Sequence, residues 1–191
     1  MVDLPTLMIS LMIVEGLLAF LMVLIAHIQK SYPGFTIWTT SHVTLAASMI
    51  FLLLRGFVPD AVSVLPGNLL LLFSLLLMAE SLHRFYTVRP MTRMPYLILI
   101  PVGILLLWFT VADDNITARS GIISLSSILL ILLIVHVIRT FAPKGNLPSR
   151  YLTVALLCLA VVMAVRGCEW FISPEHRDLF EPTTLNAGLY V

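Results

Sequence analysis

Six apolar runs, each long enough to cross a membrane as a helix, constrain the fold of this chain more than any other feature. A helix of about 20 residues spans about 30 Å of hydrocarbon at 1.5 Å per residue. The predicted spans cover residues 7–28, 41–57, 61–82, 96–112, 121–138 and 151–172. Short segments rich in Pro, Gly, Asn or charge separate them, so successive helices are expected to be antiparallel neighbours. The sequence therefore predicts an all-α, polytopic integral membrane helical bundle.

The composition excludes a soluble domain of ordinary type. Charged residues make up 11% of the chain and hydrophobic residues 60%, whereas a soluble domain carries about 25% charged residues. The lipid bilayer is thus expected to cover most of the surface. The basic residues form no stripe or arm, so no nucleic-acid partner is predicted.

A seventh helix is predicted to begin in "PTTLNAGLYV", where Thr183 or Thr184 is suited to capping a helix. The sequence stops about eight residues later, so we expect this last helix to be truncated from about residue 183. Residues 1–191 are then a single membrane-embedded domain with six complete transmembrane helices and the start of a seventh.

The distribution of basic residues between loops predicts the orientation. Seven of them fall in alternate loops: Lys30, Arg84, Arg89, Arg93, Arg139, Lys144 and Arg150. The opposite loops carry mainly Asp and Glu. Because short loops rich in Lys and Arg stay in the cytoplasm, the N-terminus is predicted to lie outside, and the seventh helix would enter the cytoplasm.

Four charged residues are predicted to form a cluster in the outer half of the bundle. Arg55 and Arg166 are each followed by glycine near the outer ends of the second and sixth helices, and Glu169 lies three residues after Arg166 on the same face. Glu15 lies a turn or two deeper on the first helix. Three interpretations stay open: Glu15, Arg55, Arg166 and Glu169 bind an anionic small molecule or lipid headgroup, they form a purely structural ion-pair network, or the arginines reach toward the headgroups individually.

The remaining polar residues in the spans are assigned no site. His27, His42, His83 and His136 are interpreted as polar caps at the headgroup level near the inner helix ends, in preference to metal or haem ligands. Glu80 and Arg84 are spaced as a solvated interfacial pair. We predict no metal, no cofactor and no catalytic residue, and this chain is not expected to be an enzyme by itself.

Three local features give packing predictions. Pro66, Gly67 and Asn68 are expected to interrupt the third helix. Gly121, Ser124 and Ser127 form a strip of small residues that favours close helix packing. The cysteines, Cys158 and Cys168, are predicted to be small core residues.

Several short motifs carry a resemblance to a known family. "YPGFTIW" at residues 32–38, "LLLRGFVPD" at 52–60, "HRFYTVRP" at 83–90 and "RG" at Arg166 resemble the N-terminal membrane sensor modules of bacterial GGDEF-type signalling proteins. The resemblance implies a sensory domain in the bacterial inner membrane, a periplasmic N-terminus, a homodimer, and a cytoplasmic diguanylate cyclase attached through the last helix. The GGDEF signature itself is not in this sequence, so no catalytic residue is transferred.

Three further classes of membrane protein stay open on the sequence alone. A small transporter or channel-like protein would need a continuous polar path, and the middle of helices three to six offers little beyond Ser and Thr. The second class is a haem-binding redox subunit, and the third is an accessory subunit of a larger membrane complex.

The orientation can be tested by tag accessibility in cells. A tag inserted beside Arg89 is expected to report the cytoplasm and one beside Asp113 the outside, because the loop around Arg89 is basic and the loop around Asp113 is acidic. A periplasmic signal at Arg89 would contradict the predicted topology.

Overall fold

The computed structural model describes residues 4–28, 32–55, 57–113, 115–143 and 145–172, apart from the side chains of 4–8, 166 and 169–172. The helices are α1 (Leu4–Ile28), α2 (Phe35–Leu53), α3 (Asp60–Thr87), α4 (Met94–Leu97), α5 (Leu99–Leu107), a π-helical turn (Trp108–Ala112), α6 (Ile116–Phe141) and α7 (Leu147–Ile172). The predicted seventh span, from about residue 183, lies outside the described residues.

Six helical segments are long and apolar enough to cross a membrane. They are Ile9–Ile28, Phe35–Leu53, Asp60–Thr87, Met94–Ala112, Ile116–Phe141 and Leu147–Val165. The described residues contain no strand, only an isolated bridge between Arg55 and Val58. The all-helical class and the six spans are therefore confirmed, while the orientation of the N-terminus stays a prediction.

Five helices pack side by side in a row, and the span that contains α5 packs against the two helices at the middle of the row. α1 contacts α2, α2 contacts α3, α3 contacts α6, and α6 contacts α7, while α5 packs on both α3 and α6. We call the end where α3 and α6 finish and α7 starts the basic end, after its arginines: Arg84, Arg89, Arg93, Arg139 and Arg150. His83 stacks edge-on against Phe141 at this end, with ring centroids 5.0 Å apart.

The apolar core lies along the contact between α3 and α6. Leu72 and Leu76 of α3 pack with Leu130 of α6 and with α5, and a second cluster joins the two helices to α7. By contrast, α1 exposes large apolar side chains over most of its length, as expected for a helix that faces lipid. Cys158 and Cys168 are also exposed, so their assignment to the core is wrong.

α2 begins six residues earlier than the predicted span and ends four residues earlier. Its first two turns contain Thr36, Thr39, Thr40 and Ser41. Because these side chains are polar, hydropathy alone places the start of the span too late. The Thr39 and Ser41 hydroxyls donate to backbone carbonyls three or four residues back, at 3.1 and 2.7 Å. Because these hydroxyls are satisfied within the helix, the segment can enter the membrane.

The prediction of an interrupted third helix is wrong, because α3 continues through Pro66 without a break. Gly67 instead provides a close approach to α2, where its carbonyl accepts a hydrogen bond from Ser48 at 2.8 Å.

Of the three small residues predicted to favour close packing of α6, Ser124 lies at such a contact, while the role of Gly121 and Ser127 stays a prediction. A Cβ atom on Gly167 of α7 would lie 3.3 Å from the Ser124 Cβ, so these two helices meet through small side chains.

Gly34, which caps the start of α2, is expected to tolerate no side chain. Its φ is +90°, and a Cβ atom there would collide with the backbone carbonyl of Ser81, whose hydroxyl donates to the Gly34 carbonyl at 2.9 Å. Gly34→Ala should lower the unfolding free energy by about 2–4 kcal/mol, from backbone strain plus the steric clash.

Gly145 provides a matched control, because its φ is +91° and nothing lies within 4 Å of an added Cβ. Gly145→Ala should cost about 1 kcal/mol, the backbone term alone. Thermal unfolding in detergent micelles compares the two, and equal losses would contradict the predicted contact with Ser81.

Candidate functional site

The most unusual polar contact in the structure joins α1 to α2. Nδ1 of His42 lies 2.6 Å from the Oε1 atom of Glu15, a distance typical of a strong hydrogen bond with an ionised partner. Glu15 is the one acidic residue of α1, and His42 is the one titratable residue of α2. This carboxylate–imidazole pair is the candidate site.

Both members of the pair lie well inside their spans. Glu15 is eleven residues from the start of α1, and His42 is seven residues from the start of α2, or roughly 16 and 10 Å along the helix axes. The side chains are 18% and 10% exposed, respectively. An ionisable residue at such a position costs at least about 2.5 kcal/mol unless it is paired, which accounts for the short contact.

The hydrogen bond between the two groups can be formed in two ways. A carboxylate only accepts hydrogen bonds, so an ionised Glu15 requires a hydrogen on Nδ1 of His42, whereas a protonated Glu15 donates to that nitrogen. One proton lies between the groups in either case. The state of Nε2 then determines whether the pair holds a second proton.

Nε2 of His42 is buried and makes no hydrogen bond to any residue that the structure describes. Trp38, one turn earlier on α2, covers the imidazole with ring centroids 5.4 Å apart. A buried polar nitrogen without a partner is uncommon because desolvation is not compensated. The site can therefore accept or donate one more hydrogen bond.

The structure describes the side chains of two residues of the predicted four-residue cluster, Glu15 and Arg55. Glu15 is engaged by His42, and Arg55 lies in the turn after α2 instead of within the helix. The side chains of Arg166 and Glu169 lie outside the described part. Binding of an anionic ligand by these four residues stays a prediction.

Two further ion pairs involve residues near the ends of α3. Arg119, 3% exposed in the first turn of α6, donates to Oδ2 of Asp60 at 3.1 Å at the start of α3. Near the basic end, Arg84 donates to Oε1 of Glu80 at 2.5 Å, and the backbone N–H of Met91 donates to Oε2 at 3.0 Å. Glu80 is buried, so its assignment to a solvated pair is wrong.

The four histidines do not converge. His27 is exposed and bonds the Val23 carbonyl at 3.2 Å, His83 donates to the Arg89 carbonyl at 2.9 Å, and His136 is exposed on α6. His42, predicted at a helix end, lies inside the bundle. Within the described residues no group of three or more His, Cys, Asp or Glu side chains could hold a metal ion.

Comparisons of the chain with protein-family models, with curated proteins and with solved structures give no match. What the chain does is therefore inferred from the geometry of the Glu15–His42 pair.

A double-mutant cycle should show that Glu15 and His42 act as one unit. Glu15→Leu and His42→Leu are each expected to lower the unfolding free energy by about 2–4 kcal/mol, because each leaves a buried polar partner unpaired. The double variant should cost little more than either single change. Unfolding in detergent micelles measures all three.

His27→Leu is the matched control, since this exposed histidine bonds only its own helix among the described residues. Its effect should stay within about 0.5 kcal/mol. Additive losses in the cycle would contradict the pairing.

Proposed function

We propose that this chain is the membrane-embedded sensory input module of a bacterial signal-transduction protein that controls a cytoplasmic diguanylate cyclase. The observation that carries the proposal is the Glu15–His42 pair, which attaches a helix at the edge of the bundle through a contact whose charge can change. The motifs that resemble GGDEF-associated sensor modules support the class of output.

The position of α1 suits it to movement. It contacts α2 at the end of the row, whereas the apolar core lies between α3 and α6. A shift of α1 would expose no part of that core. A bundle whose edge helix has two arrangements of similar free energy can act as a switch, because a stimulus that favours one arrangement changes its population.

The chemistry of the Glu15–His42 contact would determine which arrangement of α1 is favoured. In hydrocarbon a neutral or internally neutralised pair is far more stable than one carrying a net charge. Gain or loss of a proton, or a new hydrogen bond to Nε2 of His42, would alter the α1–α2 contact. The helix that leads into the output would then respond through the rest of the bundle.

The location and assembly belong to the same proposal. The excess of Arg and Lys in alternate loops supports an N-terminus in the periplasm and a multi-pass position in the bacterial inner membrane. The resemblance supports a homodimer. The predicted anionic ligand near Arg55 and Arg166 would be one stimulus of such a module.

The test measures output from the complete reading frame that contains this chain, expressed in a bacterial host with low background cyclic-di-GMP. Glu15→Gln and His42→Gln are expected to change cellular cyclic-di-GMP about fivefold or more at equal protein levels, in the range of ordinary coupling free energies. His27→Gln, on the exposed part of α1, should leave it unchanged.

Two results would overturn the proposal. One is a complete reading frame without a GGDEF-type domain. The other is a level of cyclic-di-GMP that neither site variant changes while the proteins remain folded and inserted.

A further inference from the structure

A groove opens between the last turns of α6 and the first turns of α7 at the basic end. Its volume is about 590 Å³, and its polar lining consists of Arg139, Asn146, Ser149, Arg150 and Thr153. The groove lies far along the row from the Glu15–His42 pair, because α1 packs on α2 and α7 on α6. It is therefore a separate feature of the molecule.

The charge of the groove is not neutralised by neighbouring side chains. Arg139 and Arg150 are exposed, and neither forms an ion pair with a residue in the described part of the chain. Glu80, the acidic residue at this end among those described, is already occupied by Arg84 and the Met91 amide. Two guanidinium groups on facing helices thus remain available for an anion.

The floor of the groove is polar and ordered. Ser149 is buried, its hydroxyl lies 3.2 Å from the Tyr86 hydroxyl of α3, and its carbonyl accepts from Thr153 at 2.8 Å. Ser149 and Arg150 belong to the first turn of α7, and the start of a helix carries a partial positive charge that favours an anion. The same wall thus adds the charge of the helix start to that of the arginines.

The surface beside the groove is apolar. Leu147, Tyr151 and Val154 are 58%, 72% and 59% exposed, and Val154 itself lines the groove. A ligand that combines a phosphate group with hydrocarbon would contact both parts, whereas a free phosphate would leave the apolar part unused. Basic grooves between transmembrane helices at the more basic end of a bundle are typical binding places for acidic headgroups.

We propose that the groove between α6 and α7 binds the headgroup of an anionic phospholipid, with Arg139 and Arg150 holding the phosphate and the exposed apolar face of α7 contacting an acyl chain. The proposal depends on the transmembrane character of the chain and is independent of the signalling function. It predicts that α7 is held against α6 in part by lipid.

The test uses the full chain in detergent micelles, titrated with phosphatidylglycerol or phosphatidylcholine of equal chain length, and counts bound lipid by native mass spectrometry. Phosphatidylglycerol is expected to bind the wild type more tightly than phosphatidylcholine. The R139Q/R150Q variant should lose roughly 25-fold in affinity for phosphatidylglycerol, from a loss of about fivefold per arginine. R139K/R150K should recover most of it, since the charge is kept.

R89Q/R93Q is the control, because these two arginines are exposed at the same end and do not line the groove. Its affinity should stay within about twofold of the wild type, since only the diffuse surface charge changes. Circular dichroism verifies that each variant is helical. If R139Q/R150Q does not fold, the single variants R139Q and R150Q carry the same test at about fivefold each.

Three outcomes would overturn the proposal. Equal binding of the two lipids removes the selectivity for an anion. Equal losses in R139Q/R150Q and R89Q/R93Q show general surface attraction instead of a site. Complete displacement of phosphatidylglycerol by millimolar inorganic phosphate shows that the groove takes a free anion.

Discussion

The need of each polar group in hydrocarbon for a partner organises this bundle more than apolar contact does, since the lipid is as apolar as the helices. The Glu15–His42, Asp60–Arg119 and Glu80–Arg84 contacts pair ionisable groups at three different places along the spans. Serine and threonine hydroxyls bond backbone carbonyls, as Ser48 does with Gly67 across the α2–α3 contact. The Glu15–His42, Asp60–Arg119 and Ser48–Gly67 contacts each join two helices and so favour one register between them, and apolar packing between α3 and α6 fills the space that remains.

The number of spans can be predicted from the sequence because length and hydropathy are sufficient for it, whereas the bounds of α2 require information that hydropathy lacks. A hydroxyl that bonds its own helix no longer presents its polarity to the surroundings, as Thr39 and Ser41 show. A predicted start at residue 41 puts His42 at an interface. With the observed start at Phe35, the same histidine lies inside the membrane, where it needs a partner.

The Glu15–His42 pair cannot be predicted from the sequence, because the start of α2, and with it the depth of His42, is misplaced by hydropathy. Glu15 alone can be recognised as a candidate. Glu15 is conspicuous from its isolation in an apolar run, but the choice among possible partners depends on which helices are neighbours and at what height. The row places α2 beside α1, so His42 can reach Glu15. The repeated Arg-Gly motif is recognisable in the sequence, but the packing role of its second glycine is not. Gly167 lets α7 approach Ser124 of α6 closely.

The row also determines how any signal would have to travel. α1 and α7 lie on opposite sides of the α3–α6 core. α3 is tied to α6 at its start through Asp60 and Arg119, and to the following loop near its end through Glu80 and the Met91 amide. A change in the α1–α2 contact must therefore pass through α2 to α3 before it reaches α6 and α7. The α6–α7 contact combines a close approach at Gly167 and Ser124 with the buried side chains of Leu156 and Ala160, so a movement of α7 would have to repack this cluster. A lipid held between these two helices would oppose such a movement, so the composition of the membrane would set the threshold at which a rearrangement of α1 reaches α7.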